Sequence, residues 1–474
     1  MNIFEILKNN YYLYSSINFF KSNFEKRLQF VEKKKFLFNE ISNFINNCID
    51  NSKNIFVFCA GNSIICKNIQ SNKILINEID EKYEIKYNEN ISYISEIKQN
   101  EISESDTILI ADIEHQSNPT SNLLNLSKII NDDAKIIVLS KNLIWMSLLK
   151  ILKLFFNFSP TKNNFLPSSY LNNLYSSCNL EIVRNEKLIA LPIYIPIITN
   201  FINRIFRLPL LNIFCLSNVT ILKKINKNLI DNENMGVSFI IPCKNEQKNI
   251  KLFEKEIIEN NQTYEYLFGD DNSSDKTSDE IDKLSDKLIN NKIIRYTGPG
   301  ICKSENVYKG IEHSSGEIIV IYDADLTVSF KDIEFSINIL KNTNADFINC
   351  TRMIYPQKDG AMKFFNFIGN TFFASLFSLL FRKKITDTLC GTKIFYKKDW
   401  FKIKKDNSKW GMKDLWGDFD LLIGAYKNNL KITEVPVTYY ERKEEGTKMT
   451  SLISNALRMF VIVISSYYKL RLKK

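Results

Sequence analysis

The sequence is organised around one short run, Ile318-Ile319-Val320-Ile321-Tyr322-Asp323-Ala324-Asp325-Leu326. Its four leading apolar residues are typical of a buried parallel strand. Side chains two residues apart leave an extended backbone on the same side, so we expect Asp323 and Asp325 to converge just past the strand end. Two adjacent carboxylates repel unless a positive group lies between them, and a divalent cation that also holds phosphates meets that need. The alternative is a surface turn with two solvated acids.

The size and charge of the chain limit the classes of protein to which it can belong. It has 474 residues, a net charge of +10 and 45% hydrophobic residues. That length exceeds what one hydrophobic core usually serves, so we expect two or three domains. The positive charge suits phosphates or an anionic membrane surface and does not by itself indicate nucleic acid.

Cysteine and histidine usage excludes several kinds of site. The nine cysteines are scattered without a Cys-x-x-Cys pair, and His115 and His313 are the only histidines. This pattern argues against a disulfide framework, a structural zinc site and a Ser-His-Asp triad, and it indicates a reducing compartment. The N-terminus lacks a basic segment followed by an apolar one, so we predict no secretory signal.

Alternation of strand and helix patterns divides the chain into two α/β domains, each predicted to be doubly wound. We predict a helical N-terminal segment over residues 1–50, a first domain over 51–225 and a linker over 226–235. A second domain follows over 236–450, and a basic amphipathic tail over 451–474. Acids end several predicted strands, and open α/β sheets bind ligands at those ends.

One turn in the first domain suggests a cofactor. Cys59-Ala60-Gly61-Asn62-Ser63 follows the first predicted strand, and Glu78 or Asp80 ends the second. Over residues 40–220 this order resembles class I S-adenosylmethionine-dependent methyltransferases, in which a Gly-rich turn and a ribose-binding acid stand there. Gly61 alone gives the backbone little freedom to approach a cofactor. We therefore predict a degenerate methyltransferase-like Rossmann domain, with active methyl transfer as one alternative and a different family as another.

Two apolar, aromatic segments follow in the first domain, over residues 143–160 and 188–217. The first is interpreted as an amphipathic helix that lies on a membrane or on the other domain. The second contains Pro192, Pro196 and Pro209, which rules against one straight membrane-spanning helix. Buried packing between domains is the alternative for both.

The second domain carries four motifs in order. They are Ile241-Pro242-x-x-Asn245-Glu246, Asp270-Asp271-Asn272-Ser273-Ser274-Asp275-x-Thr277, Asp323-Ala324-Asp325 and Asp387-Thr388-Leu389-Cys390-Gly391. Together they resemble family 2 glycosyltransferases of the GT-A fold, over about residues 235–450. Within that family they are similar to polyprenyl-phosphate sugar transferases, such as dolichyl-phosphate mannose synthase and dolichyl-phosphate glucosyltransferase.

The resemblance implies a nucleotide-diphosphate sugar as donor and Mg²⁺ or Mn²⁺ as cofactor, held by Asp325 with Asp323. It implies that the base is bound by Asp271 or its neighbour Asp270, and that Asp275 caps the following helix. The residues that it places at the nucleotide sugar are Pro242, Glu246, Asp270, Asp271, Lys303, Asp323, Arg442 and Lys448. The last two belong to a loop that closes over the diphosphate in relatives, and an exposed charged loop is the alternative.

The acceptor side is less well defined. The resemblance brings Asp387 towards the acceptor, and Gly391 lets backbone pass closely. Relatives often show Phe-Asp-x-Glu near here, but Leu422 stands where that Glu would fall. Asp418 and Asp420 therefore both stay candidates for the catalytic base, which a sugar hydroxyl needs and an ionised lipid phosphate does not.

An apolar helix and the tail suggest a membrane surface. Phe364–Phe381 is 18 residues without a charge, followed by Arg382-Lys383-Lys384. We predict an interfacial helix with a basic end, suited to a lipid-linked acceptor, with a core helix as the alternative. The protein is then expected in the cytoplasm, peripheral at the inner face of the cell membrane, acting on a lipid-linked or glycan acceptor. Two further hypotheses are a bifunctional methyltransferase and glycosyltransferase, and a non-catalytic membrane scaffold.

Overall fold

The computed structural model divides the chain into two compact units, Met1–Ile225 and Asn226–Lys473. The division falls where the predicted linker begins. The residues that the structure describes are 11–49, 53–85, 87–95, 97–111, 113–142, 145, 164, 166–208, 211–225, 235–260, 263–289, 291–355, 362, 364–405, 409–442 and 452–472. The predicted helix over 143–160 and the predicted linker fall almost entirely outside these ranges.

The N-terminal unit contains a seven-stranded sheet in the order β3-β2-β1-β4-β5-β7-β6. Its strands are β1 (Asn54–Cys59), β2 (Lys73–Glu78), β3 (Ile91–Tyr93), β4 (Thr107–Ile110), β5 (Lys135–Lys141), β6 (Leu180–Leu188) and β7 (Ser217–Lys224). The first five run parallel, whereas β7 runs antiparallel to both β5 and β6. The two strands predicted before Gly61 and before Asp80 are present as β1 and β2, in a sheet that is mixed.

Helices cover this sheet, and the predicted helical N-terminal segment is part of the unit. The α-helices described here are α1 (Tyr14–Ser22), α2 (Phe24–Lys33), α3 (Lys35–Asn46), α4 (Gln99–Ser103), α5 (Pro119–Ile129), α6 (Ser168–Ser177) and α7 (Ile198–Ile205). The central strands are buried on both faces, which explains their continuous apolar sequences.

The C-terminal unit contains a second seven-stranded sheet, in the order β10-β9-β8-β11-β13-β12-β14. Its strands are β8 (Val237–Cys243), β9 (Glu265–Asp270), β10 (Lys292–Thr297), β11 (Ile318–Ile321), β12 (Phe347–Thr351), β13 (Lys393–Tyr396) and β14 (Ile432–Pro436). Strands β8 to β11 are parallel, and β13 runs antiparallel to β11 and β12. The structure is thus α/β with two mixed sheets, one in each unit.

The α-helices described in this unit are α8 (Gln247–Asn260), α9 (Thr277–Lys287), α10 (Lys303–His313), α11 (Phe330–Asn342), α12 (Phe364–Phe381), α13 (Lys397–Lys404), α14 (Asp418–Lys427) and α15 (Leu452–Tyr467). Helix α12 covers the uncharged run recognised in the sequence. Within the described part of the chain, we find no helix that is both long enough and apolar enough to cross a membrane.

An aromatic side chain fills the space beside the turn after β1. Gly61 has a φ of +67°, and a Cβ at this position would lie 2.8 Å from the ring of Phe20. The hydroxyl of Tyr83 donates to the carbonyl of Phe20 at 2.9 Å and thereby holds helix α1, which contains Phe20, in place. Glu78 accepts hydrogen bonds through Oε1 from the amides of Gly61, at 2.6 Å, and Ile79, at 2.9 Å. The acid at the end of β2 therefore binds the protein's own backbone.

The residues at this edge do not fit S-adenosylmethionine. Asp80, the second candidate for the ribose, caps a short turn by accepting from the amide of Lys82 at 3.1 Å, and it lies 3.7 Å from the ammonium of Lys21. Phe20 crowds Gly61, while Glu78 and Asp80 serve local structure, so this edge lends no support to the methyltransferase resemblance.

We expect the full-length chain to release no binding heat when titrated with millimolar S-adenosylmethionine, because Phe20 occupies the approach to Gly61. Isothermal titration calorimetry measures this directly. The Phe20→Ala variant, titrated in parallel, shows whether the ring alone closes the edge. A micromolar dissociation constant for the unaltered chain would contradict the closed edge.

Candidate active site

The acids that follow three parallel strands lie at one edge of the C-terminal sheet. Strand β8 pairs with β9 on one side, where Cys243 lies opposite Asp270, and with β11 on the other. The carboxyl ends of β9 and β11 are therefore two strand spacings apart, about 10 Å. Asp271 follows β9, and Asp323 and Asp325 follow β11. These acids share one edge, as the sequence predicted.

The two aspartates after β11 converge by a different route from the one predicted. The strand ends at Ile321, so the extended backbone assumed for the Asp-x-Asp pair is absent. Instead, Asp323 accepts a hydrogen bond at its carbonyl from the amide of Leu326 at 3.3 Å, which closes a turn. Leu326 has a φ of +53°, a conformation that non-glycine residues adopt only under constraint. The two aspartates therefore lie in a turn, close enough for the charge of Asp323 to raise the pKa of Asp325 alongside the larger effect of burial.

Two cations compensate these carboxylates. Lys303, at the start of α10, places Nζ 2.5 Å from Oδ1 of Asp323, and Arg442 places a guanidinium nitrogen 2.9 Å from Oδ2 of Asp325. Burial would raise the pKa of Asp323, but the charge of Lys303 outweighs it and the pKa is lowered. Burial and the neighbouring charge of Asp323 raise the pKa of Asp325. Burial would lower the pKa of Lys303, but Asp323 and Asp418 raise it.

Arg442 reaches the site because the chain after β14 pairs with the turn after β11. Val328 and Tyr439 form an antiparallel bridge, and the amide of Tyr440 donates to the carbonyl of Thr327 at 2.8 Å. This pairing places Arg442 beside Asp325. Lys448, predicted in the same loop, lies outside the described residues.

Gly391 lies against the carboxylate of Asp323. A Cβ on Gly391 would overlap Oδ2 of Asp323 and would lie 2.8 Å from its carboxyl carbon. The sequence predicted a close approach of backbone at this glycine. The group that approaches Gly391 is the carboxylate of Asp323. A side chain at position 391 would therefore displace Asp323.

Of the two predicted base candidates, Asp418 lies closer to this charge cluster. Oδ1 of Asp418 is 3.5 Å from Nζ of Lys393. Burial raises the pKa of Asp418 to about 6, although Lys393 and Lys303 act in the opposite direction. Asp420, two residues further along α14, is buried and accepts a long hydrogen bond of 3.4 Å from the hydroxyl of Tyr308. A carboxyl that titrates near neutral pH is suited to proton transfer.

Two residues that organise Asp418 were not assigned from the sequence. Asp414 accepts from the amides of Phe419, at 2.8 Å, and Asp420, at 3.0 Å, and so caps the first turn of α14. Lys393 is fully buried and donates to the carbonyl of Cys390. The sequence signal available for Asp414 was its position four residues before Asp418, the first residue of α14. Lys393 lies two residues after the motif that ends at Gly391, and no role was assigned to it from the sequence.

The third acid predicted on the acceptor side is engaged in a buried network. Asp387 accepts two hydrogen bonds from the guanidinium of Arg352, at 2.8 and 2.9 Å, and one from the side-chain amide of Asn370 at 2.9 Å. Burial would raise the pKa of Asp387, but Arg352 lowers it to about 2. A carboxylate bound in this way is poorly suited to take a proton. The pairing with Arg352 gave no signal in the sequence because 35 residues separate the partners.

The nucleotide side of the edge is built by two interlocked loops. The amide of Asn245 donates to Ser273 Oγ at 2.9 Å, and the amide of Gln247 donates to Asp275 at 3.2 Å. Asp275 also accepts from the amide of Thr277 at 3.0 Å, at the start of α9, so it serves both helices. Pro242 lies at the end of β8 opposite Gly269.

The predicted base-binding acids differ in their surroundings. Asp270 accepts from the amide of Ser273 at 3.0 Å and from the hydroxyl of Ser278, so it shapes its own turn. Asp271 accepts from the amide of Gly300 at 2.6 Å, across the edge from its own loop. Glu246 accepts from the side chain of Asn249 at 2.6 Å.

The carboxylates fit a divalent cation that is completed by a ligand. Among the described residues, no group of three or more His, Cys, Asp or Glu side chains forms a ready-made metal site. Mg²⁺ is commonly bound by one or two carboxylates together with substrate phosphates. Asp323 and Asp325 supply such a pair. Burial and the neighbouring charge of Asp323 both raise the pKa of Asp325, and an added cation opposes both effects.

Parts of this chain are similar to known glycosyltransferases. Residues 238–404 match the family described as Glycosyl transferase family 2. A dolichyl-phosphate beta-glucosyltransferase of Trichomonas vaginalis is 24% identical over 265 residues, which are 52% of this chain and 78% of that protein. A dolichol-phosphate mannosyltransferase of Pyrococcus furiosus is 36% identical over 112 residues, 23% of this chain and 31% of that protein.

Among solved structures, glucosyl-3-phosphoglycerate synthase from Mycobacterium tuberculosis, in complex with Mn²⁺ and UDP-glucose, aligns with a TM-score of 0.38 and 14% identity, covering 51% of this chain and 83% of that one. None of these comparisons supports the methyltransferase resemblance of the N-terminal half. The family match and the named relatives favour an enzyme over a scaffold. Residues 238–404 of the C-terminal unit thus match the family 2 glycosyltransferases, the relatives are named as glycosyltransferases, and the chain is a glycosyltransferase.

Proposed function

We propose that the C-terminal unit transfers a sugar from a nucleotide-diphosphate sugar to a polyprenyl phosphate, with a divalent metal ion and with inversion at the anomeric carbon. The observation that carries this proposal is the turn after β11, where Asp323 and Asp325 face Lys303 and Arg442. Such a cluster of opposite charges at the carboxyl edge of an α/β sheet suits a ligand that is itself a metal diphosphate.

The donor nucleotide is assigned to the edge formed by the ends of β8 and β9. Asp271 is the better candidate for the base, because its carboxylate reaches across to the loop of Gly300, whereas Asp270 is bound within its own turn. Lys244, 3.8 Å from Asp271, adds a positive group beside it. Pro242 and Glu246 then flank the nucleotide.

The diphosphate is assigned to the cations of the site. Asp323 and Asp325 would hold Mg²⁺ or Mn²⁺, which when bound neutralises charge on the leaving diphosphate. Arg442 can form two parallel hydrogen bonds to phosphate oxygens. Lys303 keeps its positive charge at neutral pH because nearby carboxylates raise its pKa. Both side chains thus favour departure of the diphosphate.

A lipid-linked acceptor is supported by the names of the relatives and by the surface of the unit. Helices α12 and α15 expose apolar side chains, among them Phe372 and Leu457. Apolar faces of this kind suit a protein that lies on a membrane surface, and we place the enzyme at the cytoplasmic face of the cell membrane. The phosphate of a lipid acceptor is ionised near pH 7, so it attacks without a protein base, and attack from the face opposite the diphosphate inverts the sugar.

We expect Asp325→Asn to lower the transfer rate by about 10²-fold or more, because one of the two carboxylates for the metal diphosphate is lost. The assay uses full-length protein with Mn²⁺, a panel of nucleotide sugars and polyprenyl phosphate. Asp282→Asn is the matched control, since Asp282 forms an exposed ion pair with Arg295, away from the site. Undiminished transfer by Asp325→Asn would show that the site assignment is wrong.

We expect Gly391→Ala to reduce transfer by about 10²-fold while the melting temperature changes little, because the new methyl group displaces Asp323 by a fraction of its own size. The control is Gly369→Ala in α12, where a Cβ would meet no atom within 4 Å. Equal activity of the two variants would show that the position of Asp323 is unimportant.

We expect Asp418→Asn to keep most of the transfer to polyprenyl phosphate, together with its decline at acid pH. That decline belongs to the acceptor phosphate, whose second pKa is about 6. A glycan hydroxyl would instead need Asp418, whose pKa is also about 6, as its base. In that case Asp418→Asn would lower the transfer rate by about 10²–10⁴-fold, and the remaining activity would no longer decline at acid pH. The pH dependence of the variant therefore identifies the acceptor class.

A further inference from the structure

The insertion between β6 and β7, residues 189–216, contains a helix with reversed polarity. Helix α7 buries its polar residues Thr199 and Asn203, which are 1% and 6% exposed. Phe201, an apolar residue of α7, is 62% exposed, and Ile197, which directly precedes the helix, is 83% exposed. A helix on the surface of a water-soluble domain shows the opposite arrangement, with its apolar stripe towards the core.

Hydrogen bonds fix this orientation. The side-chain oxygen of Asn203 accepts from the amides of Ala190 and Leu191, each at 2.9 Å. The hydroxyl of Thr199 accepts from the amide of Ile195 at 2.7 Å and donates to the carbonyl of Ile193 at 2.6 Å. Because buried polar groups need such partners, rotating the helix to hide its apolar face would break four hydrogen bonds. The apolar face is therefore held outward.

A second insertion, residues 142–167 between β5 and α6, begins at the same edge of the N-terminal sheet, and most of it lies outside the described residues. Ser217 pairs with Lys141 at the end of β5 and with Leu188 at the end of β6. The side-chain amide of Asn142 donates to the carbonyl of Ile213 at 2.6 Å, and the indole of Trp145 donates to that of Phe214 at 2.7 Å. The start of one insertion is thus bonded to the end of the other.

The two insertions differ from the rest of the chain in their content of charged residues. Their sequences contain five basic residues and no Asp or Glu, in a chain that carries 53 acids. Three of them, Lys150, Lys153 and Lys162, lie outside the described residues. Of the other two, Arg204 is exposed, whereas Arg207 forms an ion pair with Glu40. A protein partner usually meets a rim of mixed charge, whereas an anionic lipid surface favours apolar side chains interspersed with cations alone.

We propose that the outward apolar face of residues 193–208 and 211–214 binds an anionic lipid surface and docks the N-terminal unit on a membrane. The side chains that enter the interface are Ile193, Tyr194, Ile197, Ile198, Phe201 and Phe214, all at least 45% exposed. Arg204, in the last turn of α7, then lies at the level of the headgroups. This proposal rests on the N-terminal unit alone and is independent of the sugar-transfer proposal.

The test is flotation of the full-length protein with vesicles of phosphatidylcholine, with and without phosphatidylglycerol. We expect the double variant Ile197→Ser/Phe201→Ser to partition at least about tenfold more weakly than the unaltered chain, since two large apolar anchors are lost. The control is Ile289→Ser, which removes a solitary apolar residue that is 86% exposed in the other unit. Apolar helices of the C-terminal unit contribute equally in all three proteins, so the difference isolates this face.

A second variant separates charge from apolar contact. Arg204→Gln should weaken binding to vesicles with phosphatidylglycerol and leave binding to pure phosphatidylcholine unchanged. Because the altered side chains are exposed, unchanged melting temperatures are expected throughout. Equal flotation of the double variant and the control would overturn the proposal. So would a double variant that floats normally but no longer self-associates in sedimentation equilibrium, because the face would then bind a second copy of the chain.

Discussion

Two carboxylates of like charge stand side by side at the end of β11, and the organisation of the C-terminal unit follows from that repulsion. Asp323 and Asp325 are buried enough for their charges to be costly without partners. Lys303 arrives from the start of α10 and Arg442 from the chain beyond β14, each forming an ion pair. Lys393 and Asp418 continue the alternation of charge on the far side. Residues distant in sequence are thus gathered round one electrostatic requirement.

The strands of this unit could be predicted because their signals are local. Continuous apolar runs predicted the strands that precede Asp271 and Asp323, and acids at the ends of such strands were expected at one ligand-binding edge of the sheet. Contacts between distant residues gave no such signal. The pairing of Arg352 with Asp387 depends on tertiary structure alone.

The local geometry after β11 also escaped prediction. The alternation rule applies to extended backbone, but the strand ends at Ile321 and the aspartates occupy a turn that contains Leu326 at positive φ. An extended backbone was expected through both aspartates, whereas the structure has a turn there. A turn fixed by a strained residue holds two carboxylates together more firmly than a frayed strand end would, because few alternative conformations are available.

The two units show how similar sheets can be put to different use. At the edge of the N-terminal sheet, Phe20 packs where the turn after β1 would receive a ligand, and Glu78 binds backbone amides. At the corresponding edge of the C-terminal sheet, charged groups remain close to one another and partly exposed. Aromatic filling favours stability, whereas charge left near the surface favours ligand exchange.

The distribution of thiols makes the molecule convenient for chemical labelling. Eight of the nine cysteines are buried, and Cys302 is the one with intermediate exposure. It directly precedes Lys303, the residue paired with Asp323. A maleimide reagent applied to the native enzyme would therefore attach first at the rim of the active site, so a fluorophore introduced without any mutation would report on donor binding.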